Sequence, residues 1–286
     1  MEALVLIDRL GLYHAVFTDP TRTDVPQPDI SNWAAVYQCL DMLARTKTPG
    51  SIYEELVRGD EGRYFAWTLA ALTPWERVDD LPNPKPGKPS LAMSYLAARE
   101  GFKAQNKLCD LLVASRKHRG AINELKDIVI TKGAAQNERE RFGMAIREWN
   151  PKGGWRLQVL SAILVDVDVR TMGDAGEGKI YSMTCYKCHL EKGEANSLVD
   201  IDLQKILSEW QRFLDHLVEL DVTEAASIQP LVNGTVIAKK FGVKPGRWLM
   251  GTLEAVMVWQ LKNPGNNDPS AVLEELRGRR DELGIK

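Results

Sequence analysis

Apolar side chains recur at helical spacing along most of this chain, and no stretch alternates polar and apolar residues as a strand would. The pattern predicts an all-α fold. Ala3 to Val16 reads as amphipathic through Leu4, Ile7 and Leu10, broken at Gly11, and Pro20, Pro26 and Pro28 then make a loop. Ser31 is placed to cap a helix whose inward face reads Trp33, Val36, Tyr37, Leu40 and Leu43. Pro49-Gly50-Ser51 restarts the chain through Ile52, Leu56 and Val57, and Tyr64 to Leu72 forms a strongly apolar helix. Pro74, Pro82, Pro84, Pro86 and Pro89 mark residues 73–90 as an extended linker and the best internal hinge, because proline removes a backbone donor and breaks helices. Helical patterns resume at Leu91–Arg99, Gln105–Lys117, Ala121–Thr131, Asn137–Trp149, Trp155–Asp168, Lys205–Leu220 and Asp268–Leu283, with Asp268 or Ser270 capping the last.

Pro230 to Pro264 is the most specific stretch. Asn233-Gly234 opens one helix and Gly242 supplies the left-handed residue that closes it. Lys244-Pro245-Gly246 forces a turn, and a second helix runs from Trp248 to Asn263-Pro264. The second helix would begin near Gly246, with unpaired N–H groups, the positive end of the helix dipole, and Lys244 and Arg247 alongside. A phosphate could sit there.

Composition narrows the picture. The 286 residues are 44% hydrophobic, enough for two packed helical modules, and the net charge of −2 argues against indiscriminate nucleic-acid binding. The charge is uneven. Residues 99–156 carry 13 basic and 7 acidic side chains, while each flank is net −4. Cys39, Cys109, Cys185 and Cys188 suggest reduced thiols and an intracellular setting, and no apolar run reaches membrane-spanning length, so no membrane partner is expected.

Three constellations could carry chemistry. Gly153-Gly154 followed by Asp166 and Asp168 imitates a nucleotidyltransferase palm, but the intervening residues read as one helix, on which the two carboxylates diverge and cannot share a metal. Cys185-Tyr186-Lys187-Cys188-His189 has the spacing of a haem attachment or half a zinc site, with no matching ligands elsewhere. Arg116-Lys117-His118-Arg119 is a basic cluster at an expected helix junction. With Arg99, Lys103 and Lys107 spaced along one expected helical face, it reads as a track for RNA phosphates.

The run NGTVIAKKFGVKPGRW followed by LEAVMVWQLKNP resembles the C-terminal tail of fungal CCA-adding enzymes, tRNA nucleotidyltransferases of class II in the poly(A) polymerase-like superfamily. LIDRLGLYHAVFTDPTR, TKTPGSIYEELVR, AREGFKAQNKLCD, NERERFGMAIREW, GGWRLQVL and SEWQRFLDHL agree with it. One departure is Arg247, where the family usually has proline. The resemblance implies that residues 1–150 form a helical body and 151–286 a helical tail that hold the tRNA acceptor stem and elbow. In the family a separate α/β head binds Mg2+, CTP and ATP and adds CMP, CMP and AMP. Its motifs lie upstream of the stretch resembled by Leu6 to Arg22, so this chain is expected to start after the head, at an internal methionine. On that reading no catalytic residue, metal ligand or cofactor site lies in this chain, and a head would be its partner. The RNA-binding candidates are Arg99, Lys103, Lys107, Arg116, Lys117, Arg119, Lys244, Gly246 and Arg247. A helical interaction scaffold without RNA affinity is the rival reading. Residues 170–204 interrupt the resemblance and read as an unstructured insert. Within them Gly178 to Gln204 could be encoded by a translated intron, since Gly178-Lys179, Ala195-Asn196 and Gln204 allow splice-start, branch-point and splice-end codons.

Overall fold

The computed structural model describes residues 1–22, 25–83, 85–151, 154–172 and 198–285. It is all-α. Among the described residues the single strand-like feature is an isolated antiparallel bridge between Leu81 and Leu91. The chain forms two compact units, one of Met1–Ile130 and Pro151–Asp215, the other of Thr131–Asn150 and His216–Lys286. One crossing falls at Asn150–Pro151, where body and tail were expected to divide. The chain also crosses after Ile130 and after Asp215.

The first unit is organised around α9 (Trp155–Met172), which packs against α3 (Trp33–Arg45), α4 (Ile52–Leu56), α5 (Gly59–Leu72) and α7 (Asn106–Ile130). Trp155, Val159, Leu160, Ile163, Leu164 and Val167 are buried around its circumference, the pattern of a helix enclosed by others rather than lying on a surface. α1 (Glu2–Arg9) and α2 (Tyr13–Val16) precede it, separated at Gly11, whose φ of 62° needs glycine. α10 (Leu198–Glu219) contributes its residues up to Asp215. Its Gln211 accepts from the Ile52 amide at 3.1 Å and donates to the Gly50 carbonyl at 2.8 Å, which ties the turn before α4 in place.

The structure corrects several local expectations. Ser31 does not cap α3. Asn32 stands at that position, and its side chain donates instead to the Asp168 carbonyl and Thr171 Oγ1, both at 2.8 Å. The expected linker at 73–90 begins with a 3-10 turn, Thr73–Arg77, whose Trp75 is 1% exposed and donates to the Phe17 carbonyl at 2.7 Å. Proline at the second position of that turn needs no amide partner, so the residue that was expected to break a helix starts one. The helix expected at Leu91–Arg99 is α6 (Met93–Leu96) continued by a π turn, Ala97–Gly101. The two helices expected on either side of Gly120 are one, α7, because Ile122, Leu125 and Val129 continue its buried face and outweigh the roughly 1 kcal/mol that glycine costs inside a helix. Of the expected unstructured insert, residues 170–172 are the end of α9 and 198–204 the start of α10. Residues 173–197, including Cys185, Cys188 and His189, lie outside the described residues.

In the second unit α8 (Arg139–Trp149) packs on α12 (Trp248–Lys262), and α12 on α13 (Pro269–Gly278). A Cβ at Gly143 would lie 2.7 Å from Leu261 Cδ2, so any larger residue would force Leu261 to shift. Arg139 satisfies carbonyls at two helix ends, donating to Leu220 O and Leu261 O at 2.7 Å and to Asp221 O at 2.8 Å. Arg147 does the same for Ala225 O and Ile228 O, each at 2.7 Å.

Candidate nucleic-acid interface

The hairpin of the second unit forms as its residues dictate. Asn233 Oδ1 accepts from the Val236 amide at 2.9 Å and caps α11 (Gly234–Phe241). Gly242 sits at φ 69°, and the Val243 amide reaches back to the Ala238 carbonyl at 3.1 Å, closing the helix with a left-handed residue. Ile237 is fully buried with Val232, Val256, Val272 and Leu276. Trp248 Nε1 donates to the Lys244 carbonyl at 3.1 Å and its ring lies against Gly246, so the turn is held by the first residue of α12. Gln260 pins the entrance from the far end, accepting from the Leu231 amide at 2.9 Å and donating to the Gln229 carbonyl at 3.1 Å.

That architecture gathers charge of one sign. Lys239 and Lys240 lie in the last turn of α11, Lys244 and Gly246 in the turn, and Arg247 at the N-cap of α12, and all five are exposed. From Ala225 to Leu253 the sequence contains no carboxylate, and these four cations are its only ionised side chains. α12 starts from the same turn, and its first turn carries no acidic side chain. The arrangement has the chemistry of a polyanion seat. Lys239 and Lys240 join this cluster and were not among the sequence candidates, although the carboxylate-free stretch around them was there to be counted.

The basic stretch of the first unit is placed differently from expectation. Arg99, Lys103 and Lys107 do not share a helix face. Arg99 is in the π turn, Lys103 follows the helix end with φ 55°, and Lys107 lies in the first turn of the next helix. The helix that would have aligned them ends at Gly101, where a Cβ would stand 3.1 Å from the Thr18 carbonyl oxygen. All three are exposed. Arg99 donates to the Tyr95 hydroxyl at 2.7 Å, Lys103 Nζ is 3.3 Å from Glu100, and Lys107 pairs with Glu61. Arg116 and Arg119 lie within α7, not at a helix junction, and both converge on Glu76, whose side chain is 3% exposed. Arg116 also pairs with Asp80 at 2.9 Å. Their guanidinium groups hold the Thr73–Arg77 turn against α7, while Lys117 on the same helix is exposed.

Asp166 and Asp168 lie on one helix and serve separate partners. Asp166 accepts from Trp210 Nε1 at 2.9 Å and lies 3.4 Å from Arg170 and 3.5 Å from Lys126. Asp168 is wholly buried, 2.8 Å from Arg77 Nε. Its burial pushes the carboxyl up to about 6 against the downward pull of Arg77, and Asp29 adds to the rise. Among the described residues no three His, Cys, Asp or Glu side chains gather as a metal site.

Comparison with known proteins gives these groups a context. Over 293 aligned positions, 99% of this chain, 42% of residues are identical to Nucleotidyltransferase lcsQ of Purpureocillium lilacinum, and the match covers 49% of that protein. The tRNA nucleotidyltransferase cca1 of Schizosaccharomyces pombe is 29% identical over 105 residues, 31% of this chain and 21% of that protein. The tRNA nucleotidyltransferase cca2 of the same yeast is 32% identical over 72 residues, 24% of this chain and 15% of that protein. No protein-family model matches the chain, and no solved structure matches it. The chain thus spans about half the length of one curated relative, and its sequence kinship is with nucleotidyltransferases, two of them named for tRNA.

Proposed function

We propose that this chain is the tRNA-holding body and tail of a CCA-adding nucleotidyltransferase. It grips an intracellular tRNA while another part of the enzyme transfers CMP and AMP from CTP and ATP with Mg2+. The observation that carries the reading is the hairpin, where Lys239, Lys240, Lys244 and Arg247 are exposed across 29 residues without a carboxylate. Nucleic-acid affinity of this kind comes from neutralised phosphates, and duplex RNA is recognised largely through backbone and shape, so a cationic hairpin suffices without base-reading side chains. The partners of Asp166 and Asp168 support placing the chemistry elsewhere in the enzyme.

The test is fluorescence anisotropy of a labelled tRNA transcript against the full chain over a range of KCl concentrations. Replacing the four hairpin cations with alanine is expected to weaken binding and to make the slope of log K against log salt shallower by about 3, from roughly 0.7 to 0.9 per phosphate contact. A wild-type chain that binds no tRNA at low salt would instead be a helical interaction scaffold. Incorporation of labelled CTP or ATP by the pure chain, above a no-protein control, would refute the assignment of chemistry to another part of the enzyme.

A further inference from the structure

Between Leu81 and Leu91 the described residues of the first unit form a hydrogen-bonded loop on the surface. Its neck is closed by a reciprocal backbone pair, Leu81 N–H to Leu91 O at 2.9 Å and Leu91 N–H to Leu81 O at 2.7 Å. Asn83 fastens it from inside, donating through Nδ2 to the Pro89 carbonyl at 3.0 Å and accepting the Lys85 amide on Oδ1 at 3.0 Å. At the tip the Lys88 amide donates to the Lys85 carbonyl at 3.2 Å, with Pro86 and Gly87 between them and Gly87 at φ 74°. Proline at the second position and a left-handed glycine at the third define a type II turn.

Every residue from Lys85 to Ser90 is exposed, so this order is not a by-product of burial. What the turn does is hold two cations. In a β-turn the first and fourth Cα atoms lie within about 7 Å, so Lys85 and Lys88 leave one tip as a pair. No described carboxylate is paired with either. Asp80, the residue before the loop, is engaged by Arg116 at 2.9 Å.

We propose that the Lys85–Lys88 turn is a second RNA contact, seating phosphates of the sugar–phosphate backbone. This rests on the tRNA-holding function proposed above and adds a site in the first unit. Two lysines are point charges that carry no planar fork and read no base or carboxylate geometry, which suits a regular line of phosphates. Rigidity has a purpose here, because a loop ordered in advance loses little conformational entropy when it binds.

The experiment measures the full chain binding a tRNA transcript, with the hairpin variant in parallel. Lys85→Ala with Lys88→Ala is expected to weaken binding about tenfold at low salt and to make the salt slope shallower by about 1.5, as two lost phosphate contacts require. Gly87→Ala keeps both charges, adds a Cβ that meets no atom within 4 Å, and strains the turn through its positive φ. It is expected to weaken binding about threefold through lost preorganisation. Lys85→Arg with Lys88→Arg should restore wild-type affinity. If the alanine pair binds like wild type while the hairpin variant is weakened, the turn is no RNA contact and the function proposed above still stands. Binding of polyglutamate that is lost in the alanine pair, with RNA affinity unchanged, would assign the turn to an acidic protein and overturn the inference. A wild-type chain that binds no RNA removes both readings together.

Discussion

Asp168 offers a quantitative test of what holds the first unit together. Its carboxylate is wholly buried on α9 and 2.8 Å from Arg77 Nε. Two effects oppose each other there. Desolvation favours the neutral acid, and so does Asp29, while the guanidinium favours the carboxylate. Burial prevails and the group titrates near 6 rather than at its ordinary 3.8. Tyr13, also facing this cluster, is pushed upward by burial and by Asp168, so it stays neutral throughout the range of interest. A rise of about two pH units corresponds to about 3 kcal/mol at about 1.36 kcal/mol per unit. The sign follows from proton counting. Between pH 3.8 and 6 the folded chain holds a proton that the unfolded chain has released. Stability from this group is therefore full below pH 3.8, falls as pH rises, and is lost above about 6.

The perturbation is Asp168→Asn, which keeps the shape and removes the titration. Unfolding free energies of wild type and variant are measured in urea from pH 4 to pH 7.5, and their difference is taken at each pH so that groups common to both cancel. Any constant offset from the amide or from the lost Arg77–Asp168 pairing is independent of pH, so only the slope is diagnostic. The variant is expected to gain on wild type by about 2.5 kcal/mol across that range, the first part of the loss having occurred below pH 4. A flat difference, or one that falls with pH, would mean that Arg77 outweighs burial and would refute the reasoning.

Three further outcomes are expected. Gly143→Ala forces a Cβ against Leu261, which is itself fully buried, and should cost about 1–3 kcal/mol in denaturant unfolding of the second unit, whereas no loss would mean that α8 and α12 separate easily. Asn233→Ala removes the side-chain cap of α11 and should cost about 1 kcal/mol, read as a lower melting temperature and faster amide exchange at Val236. Glu76→Gln leaves Arg116 and Arg119 without their shared carboxylate and should cost about 3 kcal/mol, at the low end for a broken buried pair because the two arginines are 27% and 17% exposed. The same variant should bind tRNA as wild type does, since Glu76 faces into the fold.

How much of this was legible in the residues depended on whether local chemistry or distant packing decided the outcome. The hairpin was legible because each step has a local cause: Asn233 caps, Gly242 takes a left-handed φ, and Lys244-Pro245-Gly246 turns. So was the separation of Asp166 from Asp168, since an unbroken helix fixes it. Gly120 and Pro74 misled because their local preference is weaker than the contacts on either side. Ile122 and Val129 carry α7 through the glycine, and Trp75, buried against the Phe17 carbonyl, draws the proline turn into the core. Lys103 misled for the reverse reason. Even spacing suggests a helix face, but the helix ends at Gly101, where the chain runs close to Thr18, a residue far apart in sequence. The cations of the site followed the same division. Arg116 and Arg119 looked like a surface cluster, but their partner Glu76 is 40 and 43 positions away, and no local pattern reveals it. Lys239 and Lys240 were hidden by averaging, because a flank counted as net −4 contains a 29-residue stretch, Ala225 to Leu253, with four cations and no carboxylate. Charge along a chain is thus informative at the scale of one helical hairpin, the distance over which screened charges act together at about 10 Å in ordinary salt. Summed over a hundred residues, it records only that acidic and basic surfaces both exist.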